Sequence, residues 1–125
     1  MSDAPAAKTN TITIENTERA IVARPEMKLI DDDALKALSR LVDEASAANP
    51  AVALVVVDLS RVSLLPSLAL GLLVQMAGKC RAREQKLKLA GVQPSVRQVF
   101  AITRLDRVFQ FTTSVETAIE SEGIA

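Results

Sequence analysis

The chain lacks histidine, tryptophan and tyrosine, and it holds only three phenylalanines among its 125 residues. Without an imidazole it has no histidine general base, no Ser-His-Asp triad and no usual set of zinc ligands. So few aromatic rings leave almost no surface on which a nucleic-acid base or a sugar could stack. These absences argue against an enzyme, and neither a metal nor a cofactor is expected.

Cysteine is almost missing and the charge is balanced. Cys80 is the only cysteine of the sequence, which fits a reducing, cytoplasmic compartment. Lysine and arginine number 15, as do aspartate and glutamate, so no nucleic-acid partner is expected. The longest apolar stretch, residues 64–76, contains proline, glycine and polar residues and is too short to cross a bilayer, so no membrane insertion is expected.

The pattern of the chain predicts one α/β domain over residues 11–122. Residues 1–10 are small and polar without an apolar run, so a disordered tail and no signal peptide are expected there. Strand-like and helix-like segments then alternate in the order β-β-α-β-α-β-α-β-α. This order predicts a mixed, mostly parallel sheet of four to five strands with about four helices.

The strands are predicted from alternating or continuous apolar segments. Residues 11–15 and 20–23 predict a hairpin, and Pro25 is expected to end its pairing. The valine-rich run at 51–59 predicts a strand covered on both faces, as in a parallel sheet between helices. Residues 86–90 and 108–111 predict the remaining two strands.

Helix-start patterns separate these strands. The three consecutive acids Asp31–Asp33 are placed where a helix N-terminus favours caps and negative charge. The second helix is predicted at about 67–84, and Pro94 is a favourable first-turn residue for the third. Residues 113–116 form a capping box for a short fourth helix.

The second predicted helix contains the main functional signal. On a projection of 100° per residue, one face is expected to pack on the sheet: Ala69, Leu72, Leu73, Met76, Ala77 and Cys80. The opposite face is small and apolar: Ser67, Gly71, Gln75, Gly78 and Ala82, flanked by Leu70, Val74 and Arg81. Because each helical glycine costs about 1 kcal/mol relative to alanine, this face is interpreted as a protein-docking surface. The alternative is that another element of the same chain covers it.

Several short motifs resemble those of the STAS domain family. They are VVVDLSRV at 55–62, Ser67, LGLL at 70–73, LKLAGV at 87–92, PSVR at 94–97 and LDRVF at 105–109. The resemblance extends over residues 11–121 in the same order of elements. It implies a STAS-like fold and a bacterial regulatory protein rather than an enzyme.

In the anti-sigma factor antagonists of this family, a serine at the start of the second helix is phosphorylated by the partner, an anti-sigma factor that is also a kinase. Ser67 aligns with that serine, and Asp58 aligns with the acid that ends the core strand. The resemblance therefore implies a cytoplasmic partner-switching phosphoprotein in signal transduction and transcription regulation. With the helix projection, it assigns phosphorylation to Ser67 and partner binding to Asp58, Ser67, Leu70, Gly71, Val74, Gln75 and Gly78.

The chain departs from the family around this serine. The family usually has Asp-Ser-Ser-Gly where PSLA stands at 66–69, and Arg104 occupies a position that is often glycine. These departures keep a second hypothesis open, an unphosphorylated STAS accessory or scaffold subunit of a stressosome-like or lipid or anion transporter assembly. Ser67 is also suited to cap the helix, and Asp58 is expected to anchor the following loop by a hydrogen bond. The identity of the partner and the oligomeric state are left open.

Overall fold

The structure is a computed structural model that describes residues 12–124, except for the side chains of Leu68 and of residues 122–124. The tail predicted at residues 1–10 lies outside the described residues. Within them one five-stranded sheet follows the chain order: β1 (Ile12–Asn16), β2 (Ile21–Pro25), β3 (Leu54–Asp58), β4 (Lys86–Ala90) and β5 (Gln110–Thr112). β1 and β2 are antiparallel and the other neighbours are parallel, which confirms the mixed, mostly parallel sheet.

Four α-helices lie between and after these strands in the described part of the chain. They are α1 (Asp32–Ala48), α2 (Ser67–Ala82), α3 (Pro94–Ile102) and α4 (Val115–Ile124). Asp31 caps α1, because its Oδ1 accepts a hydrogen bond of 2.8 Å from the N–H of Ala34. α4 is capped one residue later than the predicted capping box at 113–116 implies, because the Oγ of Ser114 accepts a bond of 3.1 Å from the N–H of Thr117. A 3-10 helix, Leu105–Arg107, precedes β5.

β3 is buried because helices cover both faces of the sheet. Val55 and Val57 belong to a large core cluster that includes residues of α1, α2 and α3. Leu54 and Val56 point to the opposite face and belong to a smaller cluster that α4 covers. All four side chains are at most 2% exposed, so the prediction of a strand covered on both faces is confirmed.

Pro25 is the last residue of β2, so strand pairing ends at this proline as expected, although the strand extends beyond the predicted residues 20–23. Pro25 pairs with Ile12 at the end of the antiparallel hairpin. On the other side of β2, the parallel pairing with β3 extends only from Ile21 to Ala23. The proline is tolerated because it lies beyond the last residue at which β2 has neighbours on both sides.

Two basic side chains hold the C-terminal half of α4. Lys88 of β4 is only 4% exposed, and its Nζ donates to the Oγ of Ser121 at 2.8 Å and to the carbonyl oxygen of Ala118 at 3.4 Å. Arg19 donates to the carbonyl oxygen of Ile119 at 3.2 Å. Both contacts place a positive charge in the half of α4 that is nearer to the negative end of the helix dipole.

Among residues 12–124, Glu84 and Arg104 are the non-glycine residues with a left-handed backbone, with φ of 61° and 63°. Glu84 ends α2 in a Schellman motif, in which its N–H donates to the carbonyl of Arg81 at 2.9 Å and the N–H of Gln85 donates to that of Cys80 at 2.8 Å. The left-handed backbone at Arg104 gives a physical reason for the glycine that the family resemblance implies at this position. Both sites favour glycine because a Cβ is strained there.

Replacing Glu84 by glycine is expected to stabilise the fold by about 0.5–1 kcal/mol. The left-handed conformation costs a non-glycine residue about 1–2 kcal/mol, and the larger freedom of glycine in the unfolded chain offsets part of this gain. Urea unfolding of Glu84→Gly measures the change, with Glu84→Ala as the matched control that keeps the strain. Equal stability of the glycine and alanine variants would contradict the claim that the left-handed backbone at Glu84 is strained.

Candidate functional site

The loop at residues 59–66, between β3 and α2, is seated on the connection between β4 and α3. The N–H of Ser60 donates to the Oδ1 of Asp58 at 3.0 Å, which confirms that Asp58 anchors this loop. The Nε2 of Gln93 donates to the carbonyl oxygen of Ser60 at 2.8 Å. Gly91, with φ of 66°, lies so close to Ser60 that a Cβ on Gly91 would be 2.9 Å from the Cβ of Ser60. The loop backbone is therefore fixed from the β4 side.

The other side of the loop is fixed by the segment that follows β2. The carbonyl oxygen of Lys28 accepts hydrogen bonds from the N–H groups of Ser63 at 2.8 Å and Leu64 at 3.0 Å. The N–H of Ile30 donates to the carbonyl of Leu64 at 3.3 Å, and Leu29 and Leu64 form a parallel β-bridge. This short ladder positions the residues just before α2.

The same ladder leaves two leucine side chains on the surface. Leu29 is 48% exposed and Leu64 is 61% exposed. Sequence analysis missed this pair, because the bridge joins segments that are distant in the chain and neither segment has a periodic apolar pattern. Neighbouring apolar side chains on a surface often mark a contact with another protein.

Ser67 is the first residue of α2, and it is exposed. Pro66 occupies the N-cap position with φ of −62° and ψ of 147°, and no described side chain caps this helix. The alternative that Ser67 caps α2 is therefore wrong, because the serine lies one residue past the cap position. Its hydroxyl is next to backbone N–H groups that lack intrahelical acceptors, at the positive end of the helix dipole.

The buried face of α2 includes Leu70, so the helix is rotated about its axis relative to the prediction. Leu70 is only 2% exposed and belongs to the large core cluster, so the expectation that it borders the docking face is wrong. Leu72 and Ala77, which were expected to face the sheet, are half-buried. The projection treated the sheet as the only packing surface, whereas α1 packs against α2 and Leu65 of the preceding loop is in the same cluster.

The remaining positions of the predicted docking face are on the surface. Ser67, Gly71, Gln75 and Gly78 are exposed, and Val74 is half-buried beside the core. A Cβ at Gly71 or Gly78 would have no neighbouring atom within 4 Å. Packing within residues 12–124 therefore requires neither glycine, and no element of that part of the chain covers this face.

Ion pairs surround Asp58 at the carboxyl ends of β2 and β3. The Nη1 of Arg24 lies 2.6 Å from the Oε1 of Glu15, and its Nε lies 3.5 Å from the Oδ2 of Asp58. The hydrogen bond with Glu15 raises the pKa of Arg24, so the guanidinium stays charged. The Asp58 side chain is 18% exposed, so only a small part of this predicted partner-binding residue is accessible.

Reactive and metal-binding groups are not assembled at this site in the part of the chain that is described. Burial raises the pKa of the Cys80 thiol, which keeps it protonated and unreactive. No group of three or more histidine, cysteine, aspartate or glutamate side chains within that part could hold a metal ion. None of its helices is both long and apolar enough to cross a membrane.

A family model described as STAS domain matches residues 11–118. The solved structure of the anti-sigma factor antagonist SpoIIAA in its unphosphorylated form is 22% identical, covers 92% of this chain and 99% of that chain, and has a TM-score of 0.75. The Bacillus protein SpoIIAA in the phosphorylated form is 20% identical, with coverages of 89% and 98% and a TM-score of 0.67. An anti-sigma factor antagonist from Mycobacterium paratuberculosis is 24% identical, with coverages of 94% and 96% and a TM-score of 0.76. At these identities the likeness concerns the fold.

Opposite effects on stability are expected at two adjacent positions of α2. Leu70→Asp buries a charge without a partner and is expected to unfold the chain, because this penalty is comparable to a typical stability of about 5–15 kcal/mol. Gly71→Ala adds a methyl group in open space and is expected to stabilise the fold by about 1 kcal/mol. Circular dichroism with urea unfolding measures both changes, and Gly78→Ala is the matched control for Gly71→Ala. A Leu70→Asp variant that folds and unfolds cooperatively would contradict the burial of Leu70 in the core.

Proposed function

The chain belongs to the STAS domain family, and we propose that it is a cytoplasmic anti-sigma factor antagonist that binds a kinase-type anti-sigma factor. The family match and the folds of the solved antagonists support a regulatory, non-enzymatic role that depends on a protein partner. The observation that carries the proposal is the exposed Ser67 at the uncapped N-terminus of α2. Phosphorylation of this serine by the partner would release the complex.

The proposed docking surface consists of Leu29, Leu64, Ser67, Gly71, Gln75 and Gly78. Its two leucines are exposed, so a partner could bury them. Full burial of a leucine side chain contributes about 1.5–3 kcal/mol to stability or binding. Its two glycines let a partner backbone approach the helix closely. In the free chain the glycines only destabilise α2, because nothing packs on them. Residues that destabilise α2 and leave leucines exposed are better explained by binding to a partner than by the stability of the fold.

A phosphate on Ser67 would affect the free chain and the complex differently. It would add about −1.5 to −2 charges and three strong acceptor oxygens. In the free chain the N–H groups and the dipole at the start of α2 stabilise an anion. In the complex the partner would have to desolvate this dianion. The fold is therefore expected to persist while the affinity falls.

Pro66 favours a second candidate function, the STAS accessory or scaffold subunit without phosphorylation. It occupies the N-cap position where related antagonists have an acid, so a kinase that recognises the acid would lose a contact. The two candidates use the same fold and differ in whether Ser67 accepts phosphate.

Ser67→Glu is expected to weaken binding to the anti-sigma factor at least a hundredfold, with little change in melting temperature. A hundredfold loss corresponds to about 2.8 kcal/mol, which is reasonable for a charge desolvated in an interface. Calorimetric titration with purified kinase-type anti-sigma factors of the source genome measures the affinity, and mass spectrometry after incubation with ATP locates the phosphate. Ser67→Ala is expected to bind and to stay unmodified.

Ser60→Ala is the matched control for these variants. Ser60 is an exposed serine of the same loop, and alanine keeps the Cβ that contacts Gly91. This control is expected to bind and to be phosphorylated like the wild type. An unmodified Ser67, together with wild-type affinity of Ser67→Glu, would reject the phosphorylation switch and favour the accessory subunit.

Gly71→Arg is expected to abolish partner binding in a folded chain, because the added side chain occupies the space into which the partner backbone would fit. Ala47→Arg places the same side chain on an exposed position of α1 and is expected to bind like the wild type. The same titration checks both variants, with melting curves to show that each is folded. Undiminished binding of Gly71→Arg would exclude α2 from the interface.

A further inference from the structure

A surface cavity lies at the carboxyl ends of β4 and β5, apart from the residues of the docking surface. Its volume is about 450 Å³, which is within the range of small-molecule pockets. Gly91, Val92, Pro94, Arg97, Phe111 and Thr113 are among the residues that line it. The carboxyl ends of parallel strands are the usual place for ligands in open α/β sheets.

Arg97 is held in place at this cavity by an aromatic ring. Its guanidinium carbon lies 4.0 Å from the ring centre of Phe111. Phe111 in turn contacts the buried Phe100 edge-to-face, with ring centres 5.4 Å apart. A guanidinium over a ring is attracted to the aromatic face, and it keeps its N–H donors available for a ligand.

Arg97 is the one charged residue among the described residues that line the cavity. Among residues 12–124 no carboxylate pairs with Arg97, and no carboxylate lines the cavity. The Oδ1 of Asp58 would lie 3.6 Å from a Cβ on Gly91, but Asp58 does not line the cavity, and its carboxylate pairs with Arg24 and with the N–H of Ser60. Pro94, the first residue of α3, also lines the cavity, so the start of this helix lies beside it. An anion would therefore meet a guanidinium without a competing carboxylate.

We propose that this cavity binds a small phosphate monoester. The fork of N–H donors on Arg97 matches the oxygens of a phosphate group and can form two parallel hydrogen bonds with it. The cavity is larger than a phosphate ion needs, and Val92 and Pro94 supply apolar contact for the organic part of the molecule. The cavity shares no lining residue with the proposed docking surface.

Titration of the ¹⁵N-labelled full chain with phenyl phosphate and with inorganic phosphate tests this proposal by NMR. Phenyl phosphate is expected to cause saturable shifts at the amides of Gly91, Val92 and Thr113. It is expected to bind at least about fivefold more tightly than inorganic phosphate, because its ring adds apolar contact. Ser67→Glu is expected to bind phenyl phosphate like the wild type.

Arg97→Gln is expected to weaken phenyl phosphate binding about tenfold or more, because it removes the charge-assisted bonds. Arg97 is exposed, so this variant is expected to keep its melting temperature. Arg107→Gln, at another exposed arginine outside the cavity, is the matched control and is expected to change the affinity less than twofold. Equal losses in both variants, no loss in Arg97→Gln, or equal affinities for phenyl phosphate and inorganic phosphate would each overturn the proposal.

Discussion

Burial of β3 on both faces is the constraint on which the candidate site depends. Its side chains enter the two core clusters alternately, and both of its edges are paired, with β2 and with β4. The strand therefore cannot shift sideways or along its axis without exposing valines. Its carboxyl end at Asp58 is fixed as a result, and the loop that begins there meets Gly91 and Lys28 on opposite sides. The position of Ser67 follows from this packing.

α2 combines a strongly buried stripe with a weak outer face. Leu70, Leu73 and Met76 are each at most 2% exposed, and burial of such side chains contributes about 1.5–3 kcal/mol apiece. The exposed Gly71 and Gly78 cost about 1 kcal/mol each. The buried stripe outweighs the glycines, so the outer face can be suited to contact with a partner without loss of the fold. Natural proteins often keep such locally destabilising residues where function requires them.

The element order could be predicted from the sequence because each element has a local signature. The valine run marked β3, and the acids at 31–33 marked the start of α1. The burial of Leu70 could not be predicted, because it depends on the rotation of α2 set by contacts with α1 and the preceding loop. The Leu29–Leu64 bridge and the stacking of Arg97 join distant segments, and neither leaves a periodic pattern in the sequence.

Pro66 stands where the resemblance to the antagonists implies an acid, and this difference has two opposite consequences for the proposed phosphate at Ser67. It removes a side chain that a kinase could recognise. It also removes a competitor, because an aspartate at the N-cap position would itself accept hydrogen bonds from the first N–H groups of α2.

The backbone of Pro66, with φ of −62° and ψ of 147°, already has the extended conformation of an N-cap, so the helix begins at the same residue without a side-chain cap. The N–H of Ala69 is satisfied by the carbonyl of Pro66 at 2.9 Å, which leaves the N–H groups before it for an anion. The N–H groups at the start of α2 are therefore more available to an anion than they would be beside an acidic cap.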